Sequence, residues 1–300
     1  MGLAIGMAIF LLVAQYVRFE SSYEDFVPDA ASVYRLTLDT YAGKEHVRSS
    51  AENFPAAGPA LMAALPDIVS NARLYNMGFK NNVIITNEDA KPDPIAIKQR
   101  RFLYADASFL SLMGYQLISG DANTALAEPN TAVITEELAR RYFGNDDPMG
   151  RMLRMRDDDN NNELVKITGV LPGVPTNTHL KFDILFSYKT LLARHTDDMP
   201  DFGVRRYDQS WGRSDMYTFV RIQPDVDPKT LQEKFAEVVA RQVPELKERN
   251  QQYILTLQPL RDIHLTSRLS DEAEANGDGR IVQFMALIGI FVLVIAGSIM

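Results

Sequence analysis

The sequence predicts an α+β domain held between two membrane helices, and three observations lead there. The 300 residues include no cysteine, are 46% hydrophobic and carry a net charge of −8, which excludes disulfide scaffolds, collagen-like chains and wholly disordered ones. Charge is unevenly spread: residues 1–17 and 281–300 contain no Asp, Glu, Lys or Arg, so all 31 basic and 39 acidic residues lie between them. In that charged middle, short period-two runs and short helical runs follow one another irregularly, which favours α+β over a doubly wound sheet.

The first element is MGLAIGMAIFLLVAQYV, residues 1–17, with 14 apolar residues of 17. It is about three residues short of a comfortable bilayer crossing and is expected to be a truncated first membrane helix. A secretory signal peptide would need a basic segment ahead of the apolar run, and nothing basic precedes Arg18. RFESSYEDF, residues 18–26, is predicted to continue this helix about two turns beyond the membrane, until Pro28 stops it. At the other end, residues 281–300 have 16 apolar residues of 20 and make ~30 Å of helix, enough to span the hydrocarbon core. Two crossings place residues 18–280 on one side of the membrane. The absence of cysteine fits a periplasmic side.

Between the helices, Tyr34, Leu36 and Leu38 alternate with Arg35, Thr37 and Asp39, predicting a half-buried strand over 32–41. Residues 54–65 read as a short helix ended before Pro66, and Ala72–Tyr75 as a strand. Asn81–Asn82 and Asn87–Pro94 carry turn chemistry on either side of a strand at Val83–Thr86. Residues 101–121 read as a strand and a short helix ending at Gly114. TAVITEELARRYFG, 131–144, is a strand, then a helix capped by Thr135, supported by Glu136→Arg140 and Glu137→Arg141, and closed by Gly144. A hairpin with the tip DDDNNN fills 150–170, and Phe182, Ile184 and Phe186 mark a further strand. Past the single Trp211 come a strand at 216–222, an N-cap at Asp227 with Pro228 behind it, and a helix at 229–242. That helix has the apolar stripe Leu231, Phe235, Val238 and Val239. A last strand covers Tyr253–Leu257.

Catalytic chemistry is not visible. His46, His179, His195 and His264 lie far apart; only His195 has acids nearby, Asp197 and Asp198, and each histidine reads as satisfied or solvent-facing rather than a metal ligand. The acidic tip Asp157, Asp158, Asp159 and Glu163 lacks the glycine of a calcium loop, with Asn162 at its sixth position, and the acid at its twelfth, with Thr168 there. No G-x-S-x-G, H-E-x-x-H, Walker A or G-x-G-x-x-G occurs, and Trp211 reads as packing. Asn276-Gly277-Asp278-Gly279 reads as a cap or hinge ahead of the second membrane helix. The acidic balance argues against nucleic acid. No catalytic, cofactor-binding or metal residue is assigned.

Several blocks nevertheless stand together: GLAIGMAIFLLVAQYVRFESSYEDF at 2–26, FLYADASFLSLMGYQLISGD at 102–121, ALAEPNTAVITEELARRYFGNDDPMG at 125–150, ITGVLPGVPTNTHLKFDILFSY at 167–188, and LQPLRDIHLTSRL at 257–269 followed by NGD at 276–278. In this order they resemble the permease subunits of MacB/FtsX-type ABC transporters, specifically their MacB-like periplasmic core domain. The resemblance implies a mixed-sheet periplasmic domain of two subdomains, porter-like and inserted, between two transmembrane helices. Its parts would be a first membrane helix at 1–17, a stalk at 18–27, the core at 28–277 with the inserted subdomain at about 78–212, and a stalk leading into the second membrane helix at 278–300. Two further helices would follow.

The same resemblance implies a non-catalytic chain in the bacterial inner membrane, dimerised as a permease homodimer and bound to a cytoplasmic ABC ATPase, which holds the ATP and magnesium. A periplasmic adaptor or substrate protein would be a further partner. Stalk residues Arg18, Glu20, Tyr23, Asp278, Arg280 and Gln283 are the coupling candidates. The cargo stays open, since lipoproteins, peptides, antibiotics and control of cell-wall hydrolases all fit. The other reading of two membrane helices around one domain is the periplasmic sensor of a two-span receptor.

Overall fold

The computed structural model describes residues 2–76, 83–158, 162–194 and 207–298. Twelve strands among them form one mixed sheet. They are β1 (Val33–Ala42), β2 (Glu45–Ser50), β3 (Ile68–Tyr75), β4 (Val83–Asn87), β5 (Ile95–Gln99), β6 (Phe102–Ala105), β7 (Thr131–Thr135), β8 (Met152–Asp157), β9 (Asn162–Leu171), β10 (Ile184–Ser187), β11 (Met216–Ile222) and β12 (Gln251–Pro259). Their order is β12-β1-β11-β3-β6-β10-β7-β9-β8-β4-β5, with β2 also paired to β1. The β6–β10 and β7–β9 ladders are parallel and the rest antiparallel, which makes the sheet mixed as the resemblance implies. Strands from 33–75 and 216–259 build one end and strands from 83–187 the other. The two ends join where β3 meets β6 through Leu74↔Ala105 and Tyr75↔Tyr104.

Each end has its own helices because each leaves an apolar face to cover. Over the first end lie α2 (Ala57–Ala64), α6 (Pro228–Glu233) and α7 (Phe235–Gln242), where Leu61, Leu231 and Phe235 pack on Leu36 and Val220. Over the other lie α4 (Glu136–Phe143) and α5 (Tyr188–Arg194), which bring Leu138, Tyr142 and Leu191 onto Ile134 and Phe186. A third core spans the join, with α3 (Phe109–Leu112) and α8 (Ile263–Thr266) placing Phe109 and Ile263 against Phe182, Phe219 and Val27.

Local signals are met where local physics decides. Thr135 accepts the Leu138 N–H and caps α4, Glu136 pairs with Arg140 at 2.6 Å, and Gly144 closes the helix at φ 63°. Asp227 accepts the Thr230 N–H and caps α6. The apolar stripe of 229–242 is buried, but the helix is interrupted at Lys234 into α6 and α7. Trp211 packs on Phe54 at 5.5 Å between ring centroids. The turn at Asn81–Asn82, the hairpin-tip residue Asp159 and the group His195, Asp197 and Asp198 lie outside the described residues.

Two expectations are corrected. The strand at 32–41 is not half-buried: Arg35, on the side expected to face solvent, is fully buried, because its guanidinium meets Glu272 at 2.6 Å and also reaches Gln258 and Ser267. And α1 (Gly2–Ser21) does not run on to Phe26; it stops at Ser21, about 30 Å from its start. The side chain of Asn177, 155 residues further on, donates to the Ser22 carbonyl at 2.7 Å, and Glu24 takes a left-handed φ of 62°. A residue in that conformation ends a helix.

The last element, α9 (Gly279–Ser298), lies antiparallel to α1. A Cβ placed on Gly6 would fall 2.5 Å from the Cβ of Ala296, and one on Gly289 would fall 3.0 Å from Val13 Cγ1. Such small residues let helix backbones approach closely in a bilayer. The outer faces stay apolar and exposed, with Leu12 and Tyr16 on α1 and Phe284 and Phe291 on α9.

Candidate functional site

The structure brings the domain-proximal ends of α1 and α9 together at the base of the sheet through three contacts. The deepest belongs to Glu24. Its Oε1 accepts the backbone N–H of His179 at 2.7 Å and lies 2.7 Å from His179 Nδ1, while the Glu24 N–H donates to the Asn177 carbonyl at 3.0 Å. Both side chains are buried, 1% and 3% exposed, so the pair is out of water. Burial pushes the Glu24 carboxyl up, but the charge of His179 and hydrogen bonds from His179 and Thr178 outweigh it and hold the group below its ordinary value. Glu24 thereby fixes the chain leaving α1 to the segment between β9 and β10.

The second contact joins α1 to α8. His264 Nε2 lies 2.7 Å from Glu20 Oε2, and its ring stacks on Tyr23 with centroids 3.3 Å apart and planes 1° off parallel. Tyr23 meets Phe19 edge-on at 5.8 Å. Burial first, then the nearby carboxylates Glu20, Glu24 and Glu274, raise the Tyr23 hydroxyl, which keeps it neutral. The third contact starts α9: Asp278 accepts the Arg280 N–H at 2.9 Å and pairs with Arg268 at 2.9 Å. These hydrogen bonds, the Arg280 backbone foremost, lower its carboxyl to about 2. Gly277 links the second and third contacts. A Cβ there would lie 3.0 Å from His264 Nε2 and 3.1 Å from Glu20 Oε2, so the chain entering α9 passes directly over the Glu20–His264 bond.

Of the six stalk residues expected from sequence, Glu20, Tyr23 and Asp278 belong to this junction. Arg280 pairs only with Asp278 among the described residues. Arg18 and Gln283 are exposed and make no ion pair or side-chain hydrogen bond with a described residue. Sequence reasoning missed Glu24, Asn177, His179, His264 and Arg268. The local trace of His179 and His264 was a single histidine in each of the otherwise apolar-and-turn blocks PTNTHL and RDIHL.

Nothing in this junction pairs a nucleophile with a base, and no group of three metal-ligating side chains occurs among the described residues. Hydrogen bonds and a stacked ring tie two helix ends to one sheet.

The helices over Ala4–Ser21 and Gly279–Ser298 are long and apolar enough to cross a membrane, and only 6% and 17% of those windows are buried within the chain, unlike the core helix of a soluble protein. Fold and junction thus define a class: a mixed-sheet domain carried on two antiparallel apolar helices. The sequence matches the family of MacB-like periplasmic core domains over residues 1–238, and the chain belongs to that family, the periplasmic part of ABC-transporter-type permeases. No curated protein matches the sequence. Among solved structures, a domain described as part of a permease protein from Porphyromonas gingivalis is 21% identical, with a TM-score of 0.61, and covers 78% of this chain and 91% of its own. The periplasmic region of MacB from Actinobacillus actinomycetemcomitans is 12% identical, with a TM-score of 0.45, over 76% and 92%. The extracellular domain of the noncanonic ABC-type transporter YknZ from Gram-positive bacteria is 11% identical, with a TM-score of 0.43, over 74% and 99%. At 21% identity the first of these supports a shared fold.

Proposed function

We propose that this chain is the non-catalytic permease subunit of a MacB/FtsX-type ABC transporter, and that it relays ATP-driven motion of α1 and α9 to the sheet domain for export or extraction of a substrate. The observation that carries the reading is the junction itself, where Glu20, Tyr23 and Glu24 of one helix end and Gly277–Asp278 of the other meet on His264 and His179. A domain that merely hung from the membrane would need no such ties, because a flexible linker would suffice. In this reading the ATP and magnesium sit on a cytoplasmic ATPase, two copies pair in the inner membrane, and a periplasmic adaptor or substrate protein meets the domain. The two ends of the sheet act as the porter-like part and the inserted part, divided at about 78 and 212.

The test uses the complete permease–ATPase complex. Glu20→Pro removes both a helix hydrogen bond and the His264 contact, at a local cost of ~3 kcal/mol or more, and is expected to leave ATP hydrolysis running while periplasmic output fails. Output equal to wild type in that variant would refute the relay. A histidine-kinase region encoded downstream of α9 would instead establish the receptor.

A further inference from the structure

At the end of the sheet away from β12, strands β9, β8, β4 and β5 cover a core with one face only. Alternation turns Val83, Ile85, Leu153, Met155, Val165 and Ile167 inward, all buried. The strand registers give the outward residues row by row. One row reads Lys98, Ile84, Arg156 and Asn162; the next has Thr86, Arg154 and Leu164; a third pairs Met152 with Lys166. The face therefore combines four cations with three aliphatic side chains that are 44% (Ile84), 38% (Met152) and 42% (Leu164) exposed.

Glu88 is a carboxylate shared by two of those cations. Glu88 lies 2.5 Å from Arg154 and 3.5 Å from Arg156, and Arg154 also donates to Asn162 Oδ1 at 3.1 Å. The nearby acids Asp157 and Glu163 point to the other face, where both take Arg194. Arg154 and Arg156, two residues apart on one face of β8, are close enough to repel, and in a chain of net charge −8 this run of cations is against the general balance. An outside anionic surface offsets that repulsion, and exposed aliphatics among the cations add apolar area that a small anion would not use.

The geometry selects among occupants. A second copy docked here about a two-fold axis would set cations on cations. The row with Arg156 and Asn162 stands a full strand length along β9 from Leu171, ~30 Å at ~3.3 Å per residue, and Leu171 leads into the segment held by α1. Along the strand this row is the part of the face farthest from the segment that α1 holds, which favours a protein there over lipid headgroups. We propose that this face docks a protein partner whose contact surface is acidic with aliphatic side chains among the carboxylates. The inference is independent of whether helix motion is relayed.

The full chain in lipid nanodiscs is titrated with a fluorescent peptide of alternating Glu and Leu. The expected result is binding that weakens steeply as salt rises to about 0.3 M and that falls about tenfold or more in Lys98→Glu/Arg156→Glu/Lys166→Glu. Ile84→Ser/Leu164→Ser is expected to lose several-fold as well. The same size of charge reversal at the exposed Lys229, Lys247 and Arg249 is expected to leave affinity within about twofold, with unchanged melting temperatures in all three variants. No loss in the first triple variant overturns the proposal. So does an unchanged serine pair with polyphosphate binding equally well, which marks a general anion surface. Displacement of the peptide by anionic vesicles assigns the face to lipid, and disulfide formation between copies at Ile84→Cys assigns it to self-association; both also overturn it.

Discussion

Replacing Glu24 with alanine removes the carboxylate that accepts both the His179 N–H and its ring nitrogen, and it does so where neither partner can turn to water. Taking away one member of a buried pair costs ~3–5 kcal/mol, because the other is left desolvated and unpaired. For a domain of this size each kcal/mol moves the melting temperature by ~2–4 °C, so a fall of ~6–20 °C is expected for the chain in detergent or nanodiscs at neutral pH. The backbone supplies an internal control. Alanine at 24 must still adopt φ 62°, whereas glycine does so without steric cost, so Glu24→Gly is expected to be milder than Glu24→Ala by ~1 kcal/mol.

The pH dependence has a definite sign. The folded carboxyl sits below its ordinary 4.5, so its contribution is complete above that value and is lost as pH falls through the folded one. The stability gap between wild type and Glu24→Ala should therefore hold from neutral pH down to about 4.5 and shrink below it. A neutral-pH loss under ~1 kcal/mol, or alanine and glycine variants of equal stability, would refute the reasoning.

Three further outcomes are expected. The chain has no cysteine, so Val13→Cys/Gly289→Cys reports the α1–α9 packing cleanly; a Cβ on Gly289 lies 3.5 Å from that of Val13, within disulfide range, and adding Gly6→Leu should reduce the cross-linked fraction in membranes. Glu272→Ala leaves the fully buried Arg35 without its carboxylate and should cost ~3–5 kcal/mol by denaturant titration. Arg35→Leu/Glu272→Leu should recover most of it, since a buried pair removed as a unit is close to neutral. Asp278, held at about 2, should support the start of α9 fully above its ordinary 3.8 and lose that effect as pH falls toward 2. The melting temperature measured from pH 5 down to 2 should fall more steeply in wild type than in Asp278→Asn.

How much of this was legible in the sequence follows from how far each contact reaches along the chain. Thr135, Glu136, Arg140 and Gly144 carry their own reasons within one helix, and α4 forms as its residues predict. Arg35 could not be placed the same way. It alternates like a solvent-facing strand residue, and only Glu272, 237 residues away, explains its burial. The strand β2 was invisible for a related reason: Glu45 to Arg48 are exposed and show no inward face, so pairing with β1 alone makes them a strand. At the junction, Glu20 and Tyr23 were found because they follow an apolar run, but His264 and His179 lie 244 and 155 residues from their partners, and a lone histidine in a sequence does not say what it will meet.

The early end of α1 alters what a relay through this junction has to be. A helix unbroken to Phe26 would be a stiff rod, whose motion reaches the domain by the strength of its own backbone hydrogen bonds. With the helix ended at Ser21, a relay would have to run through side chains instead, and the two ties differ in kind. Glu24–His179 is fully enclosed and costly to open, so it behaves as a fixed point between α1 and the β9–β10 segment. Glu20–His264 is less enclosed and lies under Gly277, a residue with no side chain to hold the chain that enters α9. A shift of α9 against α1 therefore strains the second tie before the first. If the relay operates, substitutions at Glu20 or His264 change output with modest loss of stability, while those at Glu24 or His179 lose stability first. The reverse order would mean that the buried pair, and not the stacked histidine, is the moving part.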